Sequence, residues 1–415
     1  MRARLLCVAL LAALLTGADW ARFRGPNGEG VSADKNVPVK WSPQNVLWKT
    51  PLTGRGHSSP IVVKGRVFLL GATDKDRLLA CFDAGTGKEL WARAAPGGRG
   101  RTHPKSSLAS STPCSDGEHV FCVFWDGKNV GLYAYDFAGK LAWHKDLGPF
   151  KSQHGPGFSP VVYDGKVFVN NDQDGSSALY AFAAKDGKSL WEVSRPAFRA
   201  CYSTPFLYKK GSAGPELVVT STAGVSGYNP ADGSEVWKFN WGFTGMPLRT
   251  VASSVAADGV VVACAGDGSG ARGMIAVKLG GKGDVTRTHL AWEKDRPRAS
   301  PYVPCVVAHE GCLYAVTDQG DAVCYEAKGG KEVWRRPRAT GPVSSSPVLI
   351  DGKVYAFDEK GVATVFAASP AGYKLLARNP LDELVYATPA VANGRLYVRG
   401  GKHLFCIGRP GRDAR

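Results

Sequence analysis

Three histidines stand at nearly even spacing in the first half of the chain, each shortly before an apolar run: His57 in GRGHSSP, His103 in RTHPKSS and His154 in SQHGPGFSP. Cations accompany and follow them, at Arg55, Arg101, Lys105, Arg199, Arg249 and Arg298. An imidazole titrates near neutrality and binds metals or anions, and a guanidinium grips carboxylate or phosphate through two parallel N–H bonds. If one rim gathers them, these nine residues form a cationic funnel and are the candidate ligand-binding set. The plainer alternative is a set of solvated charges on the loops of a basic protein. No carboxylate sits beside the histidines in sequence, so histidines bonded to loop backbone are expected in place of a metal centre.

Other constellations are thinner. Asn170-Asn171-Asp172-Gln173-Asp174-Gly175 puts oxygen donors at alternate positions and makes Asp172 and Asp174 a candidate Ca²⁺ pair, although the twelve-residue pattern ending in Glu is missing and Asp and Asn are ordinary turn formers. Of the ten cysteines, Cys114 with Cys122 and Cys305 with Cys312 fall on facing strands of expected hairpins and are candidate disulfides. Cys81, Cys324 and Cys406 occupy a column that elsewhere holds Ala, Gly or Val, and read as buried thiols. No histidine constellation supports a catalytic thiol, and no cysteine cluster is tight enough for zinc. Catalytic residues are left unassigned.

The elements that must position these residues repeat. Small or hydroxyl residues followed by Pro open an apolar run at Pro60, Pro113, Pro160, Pro205, Pro304, Pro347 and Pro389, and Val255 fills the one slot without Pro. These are eight starts about 47 residues apart, each leading through a turn such as Asp164-Gly165 into a second alternating run. A third run carries the small-residue column and ends in a Gly turn. Trp follows that Gly by four residues in five repeats, at Trp91, Trp143, Trp191, Trp237 and Trp334, where it is expected to pack between adjacent sheets. The eighth repeat stops after Phe405-Cys406-Ile407, while Asn45 to Lys49 reads as an orphan fourth strand. Joining the two completes one blade. The fold expected is therefore all-β, an eight-bladed β-propeller of four-stranded antiparallel blades closed by its N-terminal strand.

Residues 1–18 read as a signal peptide: Arg2 and Arg4, then eleven apolar residues from Leu5 to Leu15, then Thr16-Gly17-Ala18 before a cleavage site. Residues 19–44 form a lead-in segment, 45–408 the propeller and 409–415 a tail. No run is long enough to span a bilayer as a helix. The 415 residues carry a formal net charge of +16 with 44% hydrophobic and 21% charged residues, as a soluble globular protein does. The charge is spread over all repeats without interleaved aromatics, which argues against nucleic acid and leaves anionic surfaces and ligands.

The unit SSP-VV-x-G-x-VF followed by LYAF-x-DG-K-x-LW resembles the pyrroloquinoline-quinone-like propeller repeat from Trp48 to Gly408, and Asp19-Trp20-Ala21-Arg22-Phe23-Arg24-Gly25-Pro26-Asn27-Gly28 is similar to the start of many exported bacterial proteins of this type. The resemblance implies one of two branches. Quinoprotein dehydrogenases hold pyrroloquinoline quinone (PQQ) over the propeller with Ca²⁺; BamB-like lipoproteins of outer-membrane barrel assembly bind a partner and catalyse nothing. Fold analogy does not choose between them. The adjacent cysteine pair of the first branch and any C-x-x-C-H haem site are missing, as is the lipid-accepting Cys of the second. The expectation is an exported, non-catalytic binding or scaffold module at the cell envelope, periplasmic or extracellular, a monomeric ring without cofactor whose partner is an envelope protein or an anionic polymer. The alternative is a PQQ- and Ca²⁺-dependent alcohol or sugar dehydrogenase. A glycan-binding or glycan-cleaving propeller is a third reading, which paired carboxylates flanking the channel would support.

Overall fold

The computed structural model describes residues 19–209, 214–241, 248–268, 270–295 and 300–411. Residues 1–18, expected to be a signal peptide, Arg298 and the last four residues of the tail lie outside the described residues.

The chain forms eight antiparallel four-stranded sheets arranged as the blades of a propeller, two of them extended by a short fifth strand. We letter the strands A to D from the axis outward. In blade 1 they are Ile61–Val63, Arg66–Ala72, Asp76–Asp83 and Glu89–Pro96. Blade 8 takes its first three strands from the C-terminal end, Ala390–Ala392, Arg395–Arg399 and His403–Ile407. Its fourth is Val46–Pro51, which pairs antiparallel with His403–Ile407 and closes the ring.

Local chemistry explains the repeat. Strands A and B meet in two-residue turns whose residues both have positive φ, such as Asp164 (49°) with Gly165 (67°) and Asp351 (49°) with Gly352 (69°). This is the turn whose twist matches a right-handed hairpin, and it favours Asp or Asn followed by Gly. The indole of strand D lies across the C-to-D turn of the next blade: Trp143 donates from Nε1 to the Ala184 carbonyl at 2.9 Å, and a Cβ on Gly187 would stand 2.6 Å from its ring. Trp91 and Trp292 make the corresponding bond to Phe137 at 3.0 Å and Ala327 at 2.9 Å. The turn glycine is thus required twice, by its left-handed φ of 70° at Gly187 and by the ring against it.

The hydroxyl residue before the Pro is explained as well. Its backbone N–H donates to the equivalent side chain of the next blade: Ser59 to Thr112 at 3.1 Å, Thr112 to Ser159 at 2.9 Å, Thr204 to Ser253 at 2.9 Å, Ser253 to Cys305 Sγ at 3.1 Å, Cys305 to Ser346 at 3.1 Å, Ser346 to Thr388 at 2.9 Å, and Thr388 back to Ser59 at 3.0 Å. Seven such bonds among the eight repeat starts form a nearly complete hydrogen-bonded circle around the axis, with a gap between Ser159 and Thr204. The circle also corrects two alignments. Strand A begins at Val255 in blade 5, so Ser254 fills the Pro slot there; it begins at Val307 in blade 6, so Val306 fills the slot and Pro304 lies two residues earlier.

The expected disulfides do not form, and all nine cysteines of the described residues are free and buried. Cys114 pairs with Phe121, so Cys122, one residue on, points to the other face of the sheet, and the two thiols lie in different core clusters. Cys305 precedes strand A of blade 6 while Cys312 pairs with His309 at its far end, again in separate clusters.

Candidate functional site: a blind cationic pocket on the propeller axis

The D-to-A and B-to-C connections meet on one face, where Asp318 of a B-to-C turn accepts the Tyr302 and Val303 amides of a D-to-A loop at 2.8 and 3.1 Å. At the centre of this face a cavity of about 510 Å³ opens around the axis. Its walls follow from the pleat. Counting back from the Pro slot, the first and third residues face the axis because side chains alternate with period two. The first position supplies the hydroxyl circle. The third supplies His57, Tyr202 and Tyr386, with smaller residues such as Ser110 and Ser344 between them.

Six of the nine candidate residues line this cavity: His57, His103, Lys105, His154, Arg199 and Arg249. Arg55 and Arg101 are exposed and do not line it, and Arg298 lies outside the described residues. His57 stacks on Tyr386 with ring centroids 4.7 Å apart, and His103 meets His154 edge-on at 5.0 Å. Arg249, only 3% exposed, donates to the Tyr202 hydroxyl at 3.2 Å and to Gln153 Oε1 at 3.0 Å. Lys105 is bound by Glu359 at 2.6 Å. Burial and then the neighbouring Arg399 push His57 down to about 4. His154 is lowered by burial and by Arg249, His103, Arg101 and Arg199, which register a positive field at the mouth. The tyrosines were missed in the sequence, although Tyr202 and Tyr386 stand in the same repeat position as His57; the periodic slot was the signal.

The far end of the channel is closed by the lead-in segment, whose role the sequence left open. Trp20 pairs with Val62 of blade 1, Ala21 accepts the Ser115 amide of blade 2, Arg22 donates to the Pro205 carbonyl of blade 4, and Gly30 accepts the Leu349 amide of blade 7. Val31–Ser32 then adds a strand parallel to Val348–Ile350. Arg24, fully buried, donates to the carbonyls of Gly28 at 3.0 Å, Glu29 at 2.8 Å and Val306 at 2.5 Å. Between the two arginines, Phe23 lines the floor of the cavity. The segment is a plug that turns a channel into a blind pocket.

The Ca²⁺ candidates have other work. Asp172 is fully buried and ion-paired with Arg195, Nε to Oδ1 at 3.0 Å, and Arg195 also donates to the Tyr228 hydroxyl at 2.6 Å. Asp174 accepts the Ala200 amide at 2.7 Å. Both fix the D-to-A loop beside them, and neither lines the cavity. No group of three or more His, Cys, Asp or Glu able to hold a metal occurs among the described residues. Ca²⁺ takes six to eight oxygen ligands, carboxylates prominent among them. Asp267 is the one carboxylate among the described residues of the lining, so the pocket does not fit a calcium-bound quinone.

Eight closed blades, with Pro-headed inner strands and indoles wedged between sheets, define a PQQ-like β-propeller. A family model described as outer membrane protein assembly factor BamB matches residues 30–134, 75–206, 129–282 and 285–371. The chain belongs to that family. The outer membrane protein assembly factor BamB of Yersinia pestis is 24% identical over 299 residues, 69% of this chain and 70% of that protein. The chain spans between 60 and 70% of the length of the curated relatives it matches. Among solved structures, BamB from Moraxella catarrhalis superposes with a TM-score of 0.63 at 13% identity, covering 89% of this chain and 99% of that one. Quinohemoprotein alcohol dehydrogenase from Comamonas testosteroni gives 0.67 at 14% identity, covering 96% and 81%. These superpositions establish the shared fold. No helix among the described residues is long and apolar enough to cross a membrane.

Proposed function

We propose that this protein is exported and acts, without catalysis, as a binding or scaffold module at the cell envelope, docking an envelope protein on the face that carries the pocket. The reading is carried by the one-ended cationic mouth of a rigid ring: with the far end plugged, loops from all eight blades present a single pre-organised surface, and pre-organisation lowers the entropic cost of binding. Family membership with an outer-membrane assembly factor supports the envelope setting. Two large apolar side chains stand out on that face, Phe198 at 64% exposure and Leu384 at 54%, suited to anchoring a partner.

The test places a photo-crosslinking residue at Phe198, at Leu384 and, as a control on an outer strand, at Leu290 in the full chain expressed with its leader. A discrete crosslink to one envelope protein from the first two sites, absent from Leu290, with mass spectrometry placing the mature start at Asp19, is the expected result. Retention in the cytoplasm, or equal crosslinking from all three sites, would overturn the proposal. The dehydrogenase reading predicts dye-linked oxidation of alcohols or aldoses with PQQ and Ca²⁺; no turnover is expected.

A further inference from the structure

We infer that the blind pocket binds the terminal residue of an acidic saccharide, with its carboxylate at Arg199 and Arg249 and its remaining oxygens against the hydroxyl circle. This rests on the proposed reading in taking the mouth as the binding face, and goes beyond it in naming what enters.

The hydroxyl circle carries the argument. Ser59, Thr112, Ser159, Ser346 and Thr388 each accept a backbone N–H from the neighbouring blade at 2.9 to 3.1 Å, and none of the five donates to an acceptor among the described residues. All five line the cavity. A hydroxyl has one donor and two lone pairs. With a lone pair spent on the ring, each has its O–H free to turn toward the pocket. The cations add more donors. Arg199 is held through its backbone, its N–H donating to Thr222 Oγ1 and its carbonyl accepting from Cys201, while its guanidinium has no hydrogen-bond or ion-pair partner among the described residues; Arg249 spends its bonds on a phenol and an amide, so neither charge is neutralised by a described carboxylate.

Acceptors facing these donors are scarce. Glu359 Oε1 is taken by Lys105 and by Ser344, both at 2.6 Å, Gln153 Oε1 is taken by Arg249, and Asp267, the carboxylate of the lining, accepts the Ala271 amide at Oδ1. A peptide brings one N–H, a donor only, for every carbonyl, whereas a sugar hydroxyl can turn to accept. A sugar acid brings mostly oxygen, an anionic pair of them at one end, and apolar C–H faces that Tyr202, Tyr302 and Tyr386 can cover. The volume of about 510 Å³ suits a small ligand, and the Phe23 floor prevents a polymer from threading, so a chain enters by its end. The lowered His154 agrees with a site whose positive charge awaits an anion.

The experiment is titration calorimetry of the purified protein with trigalacturonate, its methyl ester, inorganic phosphate and triglutamate. Trigalacturonate is expected to bind, and esterification to weaken it by about tenfold or more because the charge-assisted bonds are lost. Arg199→Gln and Arg249→Gln should each weaken the acid by a similar factor and the ester by much less, because the ester has only a neutral carbonyl to offer the guanidinium. The Arg199 guanidinium is bound to nothing among the described residues, and its backbone bonds survive the substitution, so its variant remains informative if Arg249→Gln fails to fold. Equal binding of acid and ester, phosphate or triglutamate binding as tightly as the trimer, or indifference to Arg199→Gln would each overturn the inference. Mouth-specific crosslinks from Phe198 and Leu384 without saccharide binding would sink this inference alone and leave the docking proposal standing.

Discussion

At the scale of the residue, His57 shows how the channel wall constrains a side chain. It sits where other repeats carry Tyr, stacked on Tyr386, with Arg399 nearby donating to the Ser58 and Leu70 carbonyls. Burial and that guanidinium lower it from 6.5 to about 4, so the folded protein holds it neutral while the unfolded chain takes up a proton below pH 6.5. The unfolded state therefore binds more protons between pH 6.5 and 4, and stability present above pH 6.5 is lost as pH falls through that window, by roughly 3 kcal/mol in all. His57→Tyr, which copies the slot of blades 4 and 8, should flatten the fall in urea midpoint between pH 7 and pH 5. An unchanged slope would mean that other groups dominate. At His154 the direction is set by burial and by Arg249, His103, Arg101 and Arg199 together. Removing the charge at Arg249 should raise it, as an NMR titration of the ring would record.

At the scale of the element, the contacts that hold blade to blade are the indole bridges and the hydroxyl circle. Trp143 is 9% exposed and joins blade 2 to blade 3 through its ring and its N–H. Trp143→Ala should cost about 3–5 kcal/mol in urea unfolding, the range for deleting a large buried aromatic. Gly187→Ala should destabilise by more than about 1 kcal/mol, since it must adopt φ near 70° and place a methyl against the same ring. Thr112→Val keeps the shape of one link in the circle and removes its acceptor for Ser59, and should cost about 1–3 kcal/mol. Were Thr112→Val neutral, the circle would be a consequence of closure and no contributor to it.

At the scale of the whole molecule, the plug ties residues 20–32 to blades 1, 2, 4, 6 and 7, while the following strand closes blade 8. Arg24 satisfies three carbonyls from inside the protein without an ion pair among the described residues, and burial lowers its pKa against the opposing pull of nearby groups that include Glu29. Arg24→Met leaves those carbonyls without a donor, so the segment should loosen before the propeller does. Hydrogen exchange at Val31 and Ser32 should quicken by at least tenfold while the amides of blade 3 stay protected. Equal acceleration throughout would show that the plug is part of the cooperative core.

The sequence by itself determined the ring. Hairpin turns, inner-strand prolines, indoles and the orphan strand near Trp48 are local signals, each tied to backbone geometry or to a neighbour one repeat away, and their period counted the blades and located the closure. It offered the cations as one candidate rim set, of which the structure brings His57, His103, Lys105, His154, Arg199 and Arg249 to the cavity wall. What only the tertiary structure decided are facts about the axis, where residues far apart in the chain converge. The free thiols depend on which sheet face a single register step selects. The tie of Asp172 to Arg195 depends on a turn and the end of a strand meeting across 23 positions. The plug depends on Arg22 and Arg24 reaching carbonyls 183 and 282 positions away. A buried guanidinium bound to backbone oxygen leaves no mark in the partner's sequence, since every residue carries that acceptor.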